Sequence, residues 1–194
     1  MFESVDGPVL ESLAPGPELA SLLEQDPAGL SGHDLVSFLG ATERLTAWAQ
    51  SRQLDAIREL ARRRPAPLDP GDAGDLLPAG RVSEFAANEV AAELRISTGG
   101  AQARLHLALD LDRLPATRLA LAAGRLDLTK TRAIVEATKV LDDPAALTVE
   151  SRVLAKAPAQ TVGELKAALG RAVIAADPAA AQARHERAVT GRLV

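Results

Sequence analysis

Gln102 and Arg104 carry the most pointed side-chain chemistry in this chain, in the run Ser97-Thr98-Gly99-Gly100-Ala101-Gln102-Ala103-Arg104. Glutamine and arginine are the side chains that pair with adenine and guanine edges in the major groove of DNA. The hydroxyls of Ser97 and Thr98 suit bases or backbone, and Arg95, Arg113, Lys130 and Arg132 are the cations that could meet phosphates. The implied chemistry is non-covalent recognition of nucleic acid. Covalent chemistry has few candidates. The chain has no cysteine, which excludes thiolate nucleophiles, disulfides and Cys-ligated metals. Its three histidines, His33, His106 and His185, have no partners at metal-ligand spacing. No catalytic residue, metal site or cofactor is assigned, and this chain is expected not to be an enzyme.

Two helices and a turn must position those side chains. VAAELRISTGGAQARL, Val90 to Leu105, has the outline of a helix-turn-helix. The first helix is expected from about Glu84 to Glu93, with Ala91 small where the pair must approach closely. Leu94 and Ile96 bracket the turn, and Arg95 sits in it where glycine is common. Ser97 caps a second helix over Thr98 to Asp110, with Ala101, Leu105 and Ala108 turned to the core. The opposite face carries Gly99, Ala103, His106 and Asp110, flanked by Gln102 and Arg104. The acidic Asp110 fits base reading poorly. A packed helical hairpin satisfies the same spacing, and these residues alone do not choose between the two.

The elements around this unit also read as helices. Residues 1–29 are expected to be a partly disordered segment with one short helix from Pro15 to Gln25. Ser31, with Asp34 three residues on, opens a long spine helix over 31–64. Its apolar stripe is Leu35, Phe38, Leu39, Thr42, Leu45, Ala49, Ile57 and Leu60, and Trp48 is expected in the core. Arg62, Arg63 and Arg64 complement the helix dipole before Pro65. Residues 65–82, rich in Pro, Gly and Asp, form a hinge. Pro115 starts a helix ended by Gly124; Asp127 or Thr129 starts the next, with Ala133, Ile134 and Ala137 on one face; Asp143-Pro144 starts another. Thr161 and Glu164 make a capping box for a helix striped by Val162, Leu165, Leu169 and Val173, and Asp177-Pro178 opens a last, Ala-rich helix. The fold class is all-α: a multi-helix domain over 30–190, with the helix-turn-helix-like unit at 84–111 and a helical remainder at 115–190.

Composition agrees. Hydrophobic residues make up 47% and aromatics only 2%, so the core is built from Ala, Leu and Val, as close-packed helices allow. The formal net charge is -4. Residues 1–80 hold 13 acidic and 6 basic side chains, 81–132 hold 6 and 8, and 133–194 hold 7 and 8. The negative excess therefore lies in the first stretch. The N-terminus has no secretory signal and no run is long enough to span a bilayer, so the chain reads as soluble and cytoplasmic, with no membrane partner. Asp142, Asp143 and Glu136 are read as caps and solvated carboxylates rather than a magnesium site.

Two resemblances add to this. The stretch from Glu89 to Ala137 resembles the centre of ParB-type partition proteins, with Leu114-Pro115 and Gly124-Arg125-Leu126 at matching places. Residues 30–190 resemble the actinobacterial domain of unknown function 222, carried by GATERLTAWAQSRQLDAIREL, EVAAELRISTGGAQARL and LPATRLALAAGRLDLTKTRAIVEAT. That family typically places such a helical domain before an HNH endonuclease domain, so the resemblance implies association with a DNA nuclease. No HNH motif stands in this chain: it has one asparagine, Asn88, and it ends at Arg192-Leu193-Val194. The expected function is a non-catalytic DNA-binding or DNA-positioning module of an HNH-endonuclease-type protein. A rival reading is a structural or oligomerisation module with a relic helix-turn-helix, compatible with a homo-oligomer. A third is a part of an intact HNH endonuclease whose catalytic domain is missing here.

Overall fold

The computed structural model of the chain describes residues 7–64 and 84–176. Among the described residues there are nine α-helices, three short 3-10 turns and no strand, so the fold is all-α. The helices are α1 (Gly7–Ser12), α2 (Pro17–Leu22), α3 (Gly32–Arg63), α4 (Glu84–Leu94), α5 (Thr98–Asp110), α6 (Pro115–Ala122), α7 (Leu128–Thr138), α8 (Asp143–Leu154) and α9 (Val162–Ala176). The expected hinge at 65–82, the last helix from Asp177 and His185 lie outside the described residues.

α3 has 32 residues and is roughly 48 Å long at 1.5 Å per residue. It is the spine, touching α1 and α2 near its start and α4, α5 and α6 further on. Its N-terminal half carries a small separate core of Leu10, Leu19 and Ala41, flanked by Leu13, Phe38 and Leu45. Its C-terminal half contributes Ala47, Leu54 and Ile57 to the main core, with Leu105, Leu121, Ile134, Val149 and Leu165. α9 lies against α7 and α8 on the far side of that core.

The buried seam of α3 follows the expected stripe only in part: Ile57 is buried and Phe38, Leu45 and Leu60 pack against the two cores. The buried residues are Ser37, Ala41, Ala47, Ser51, Leu54 and Ile57, while Leu39 is 69% exposed and Leu35 is also exposed. Ser37, Ala41, Ala47 and Ser51 are small, which lets neighbours come close to the helix backbone along most of the seam. Trp48 is half-buried and belongs to neither core cluster. α1 was not anticipated. It is tied to the spine by the Gly7 N–H donating to Asp34 Oδ1 (3.1 Å), by Ser37 Oγ donating to Glu11 Oε1 (2.7 Å), and by burial of Leu10. Asp34 thus serves both ends: its N–H donates to Ser31 Oγ (3.2 Å) and its Oδ2 accepts from the Ser31 hydroxyl (2.6 Å) in the expected cap, while Oδ1 reaches α1. Hydrogen bonds from Ser31 and then Gly7 hold its carboxyl below the usual range.

The remaining caps explain where the helices start. Ser97, Asp127 and Asp142 accept from the backbone of Gly100, Lys130 and Ala145 at 3.1, 2.7 and 2.9 Å. For α8 the cap is therefore Asp142, one residue before the expected Asp143; Pro144 sits second in the helix, where its missing N–H costs nothing. Thr161 and Glu164 form the full reciprocal box, and these bonds from Thr161 lower the Glu164 pKa. α6 starts without a local side-chain cap. Instead Glu150, a buried carboxylate on α8, accepts the Thr117 N–H at 2.6 Å.

Candidate nucleic-acid interface

α4 ends in a Schellman turn. The Ile96 N–H donates to the Ala91 carbonyl (3.0 Å) and the Arg95 N–H to the Ala92 carbonyl (3.4 Å). Arg95 occupies the left-handed position of that turn at φ 52, where glycine is the usual residue. Ser97 then restarts the chain as α5. Ala101, Leu105 and Ala108 are buried in the main core, and α5 contacts both α3 and α4. Thr98, Gly99, Gln102, Ala103 and His106 are exposed. Leu107 is buried as well.

A groove of about 800 Å³ runs between α5 and α7. Ile96, Leu107, Ala133 and Val135 line it with apolar surface, and its charged lining is Arg104, Asp110, Arg132, Glu136, Lys139 and Lys166, with His106 beside them. Both acids are engaged by one cation: Lys139 Nζ lies 3.0 Å from Glu136 and 3.5 Å from Asp110. Those partners, Glu136 first, raise the Lys139 pKa against the opposing effect of burial. Asp110, the residue that sat badly with base reading, is therefore matched within the protein. Arg104, Arg132 and Lys166 have no carboxylate within 4.0 Å among the described residues; Arg104 reaches only Gln53, at 3.4 Å. The groove is cationic although the chain is acidic.

The structure brings part of the expected site together. Arg95, Ser97, Thr98, Gln102 and Arg104 lie along the turn and the first half of α5, and Arg132 joins Arg104 in the groove. Arg113 and Lys130 stand elsewhere. Arg113 is a clamp: its Nε is 2.6 Å from Asp143 Oδ1 and its Nη2 donates to the Leu141 carbonyl at 2.8 Å. Lys130 Nζ donates to the Pro158 carbonyl at 3.1 Å. The Arg62-Arg63-Arg64 run is also occupied, by Asp112, Glu59 and Glu89 respectively. Lys139 and Lys166 were missed because they are far from the helix pair in sequence. Only the packing of α7 and α9 brings them to it. Among the described residues no group of three or more His, Asp or Glu side chains could hold a metal ion. Among the described residues no helix is long and apolar enough to cross a membrane.

Residues 41–194 match a family described as a domain of unknown function, DUF222. The chain belongs to the DUF222 family. Its relatives include the uncharacterized protein Rv2100 of Mycobacterium tuberculosis, 36% identical over 135 residues, which are 68% of this chain and 24% of that protein. The uncharacterized protein Rv3776 of the same organism is 36% identical over 135 residues, with 68% and 25% covered. A further M. tuberculosis relative, "in est 3'region", is 36% identical with 68% and 37% covered. This DUF222 chain thus spans 24% to 37% of the length of these relatives. No solved structure matches it. The DUF222 match begins inside α3 and takes in all of α4 to α9, so the α5–α7 groove belongs wholly to the matched part, while α1 and α2 precede it.

Proposed function

We propose that this DUF222 chain is a non-catalytic module that binds or positions duplex DNA, as part of a longer protein of HNH-endonuclease type. The observation that carries this reading is the α5–α7 groove, where both acids are matched by Lys139 while Arg104, Arg132 and Lys166 have no carboxylate partner among the described residues. Gln102 is exposed on the adjacent face of α5, and Ser97 and Thr98 stand at the helix N-terminus, where backbone N–H groups favour phosphate oxygens. The link to an HNH nuclease rests on the family resemblance. A chain spanning about a quarter of relatives such as Rv2100 leaves ample length there for a separate catalytic domain.

The test is fluorescence anisotropy with random-sequence duplex DNA at low and at physiological salt. The expected result is binding that weakens as salt rises, with a slope of about −0.9 per phosphate contacted. Removing Arg104 and Arg132 together should reduce that slope by about two. Absence of binding at low salt would sink the reading. The structural or oligomerisation role would then take its place, supported by the exposed Leu35, Val36 and Leu39 near the start of α3.

A further inference from the structure

α9 has an outward face that the fold does not explain. Gly163, Ala167 and Gly170 follow one another at helical spacing and all are exposed, with the larger Ile174 one turn beyond them. Nothing lies within 4 Å of a Cβ built on Gly163 or Gly170. Gly170 is well inside the helix, where glycine is about 1 kcal/mol worse than alanine. The packing leaves room for a larger residue at both positions, yet the ridge is low.

Cations flank that ridge on both sides. Lys166 and Arg171 are five residues apart, roughly 140° around and 7.5 Å along the helix. Lys166 lines the α5–α7 groove, and Arg171 lines a second cleft, of about 300 Å³, between α8 and α9. That second cleft holds Arg152, Lys156 and Arg171 and no carboxylate. All three are exposed, and none has an ion pair among the described residues. Gln160 lines the same cleft, with its Oε1 buried and without a partner. Three exposed cations without a counter-charge in the cleft fit the oxygens of phosphodiesters.

We infer that the α8–α9 cleft is a second phosphate site, and that the DNA backbone crosses the bare ridge of α9 between it and the α5–α7 groove. This rests on the DNA-binding reading above. The low ridge has a physical reason in this arrangement: a bulky side chain at Gly170 would hold the phosphates off both rows of cations.

The experiment compares salt-dependent duplex binding by the full chain and four variants. The triple variant Arg152→Ala/Lys156→Ala/Arg171→Ala should reduce the salt slope by about two to three, since each phosphate contact contributes about 0.9. Gly170→Leu should raise Tm, because leucine is the better helix former, and yet weaken binding at least tenfold. Arg125→Ala, an exposed cation outside both clefts, should leave the slope unchanged. Gln102→Ala/Arg104→Ala tests the primary interface by itself. If the wild type binds while the triple variant keeps the slope and Gly170→Leu keeps the affinity, the second site is refuted and the α5 interface stands. If the triple variant weakens while Gln102→Ala/Arg104→Ala does not, the second site stands and the α5 assignment falls. No binding by the wild type overturns both.

Discussion

Replacing Gly124 by alanine should destabilise the fold by about 3 kcal/mol, from two separable causes. Gly124 ends α6 in the left-handed conformation, φ +67, with the Arg125 N–H bonded to the Ala120 carbonyl at 2.9 Å. An L side chain there costs about 1–2 kcal/mol. The added Cβ would also stand 2.7 Å from Arg44 Cβ, 2.9 Å from Arg44 Cα and 3.0 Å from the Arg44 carbonyl oxygen. Two of these are backbone atoms of α3 and no rotamer change moves them, so α3 and the α6–α7 turn must separate, at about 1–3 kcal/mol of strain. Restriction of the unfolded chain by alanine offsets about 0.4–1 kcal/mol. For a domain of this size, 3 kcal/mol corresponds to a Tm lowered by about 6–12 °C. Trp48, the only tryptophan, is one turn along α3 from Arg44, so its fluorescence in a urea titration reports the region directly. Gly124→Asn separates the causes. Asparagine tolerates the left-handed backbone but keeps the Cβ, so it should recover only the smaller share. A Gly124→Ala midpoint equal to wild type within about 0.5 kcal/mol would refute the close approach of α3 to this turn.

Three further perturbations probe other parts of the argument. Arg95→Gly should stabilise the protein by about 1 kcal/mol in denaturant titration, because φ 52 suits glycine; a loss would mean that the Arg95 side chain supplies a contact worth more than the strain. Glu150→Ala should cost about 1–3 kcal/mol, since it strands the buried Thr117 N–H, and Glu150→Gln should recover most of that through its amide oxygen; an unchanged melting curve for the alanine variant would remove Glu150 as the cap of α6. Arg113→Ala should lose about 1 kcal/mol with its bonds to Asp143 and Leu141 while leaving the DNA salt slope unchanged; a reduced slope with an unaltered Tm would restore Arg113 as a phosphate contact.

Much of this fold is legible in the sequence where local signals carry it. α5 begins and ends at the residues that the Ser97 cap and the apolar spacing indicate, and α4 runs one residue past its expected end. What is lost is what depends on distance between neighbours. The stripe on α3 misleads at its start because hydropathy favours Leu35 and Leu39, whereas the close approach of α1 favours the small Ser37. α1 is six residues long and too short to be stable alone, so its existence depends on Asp34 and Leu10, which no local window relates. Nothing local in VESRVL marks Glu150 as the buried cap of α6, because its partner Thr117 lies 33 residues away. The candidate site shows the same division. Gln102 and Arg104 follow from the helix pair itself, whereas Arg113, Lys130, Lys139 and Lys166 are sorted into clamps and groove residues only by what lies opposite them.

The net charge of -4 is a poor guide to the surface for the same reason. Between Asp110 and Glu164 the chain has eight acids, and each has an internal partner. Asp127, Asp142 and Glu164 cap helices; Glu150 takes the Thr117 N–H; Asp110 and Glu136 share Lys139; Asp112 pairs with Arg58 and Arg62, and Asp143 with Arg113. A carboxylate at a helix N-terminus is also partly balanced by the helix dipole. Arg132, Arg152, Lys156, Lys166 and Arg171 lack such partners among the described residues and are exposed. Screening over about 8 Å at physiological salt separates them from the acid-rich first 80 residues wherever the two are further apart than that. A polyanion approaching α9 therefore meets local cations rather than the average charge of the chain, and this is the physical condition that the proposed DNA interface requires.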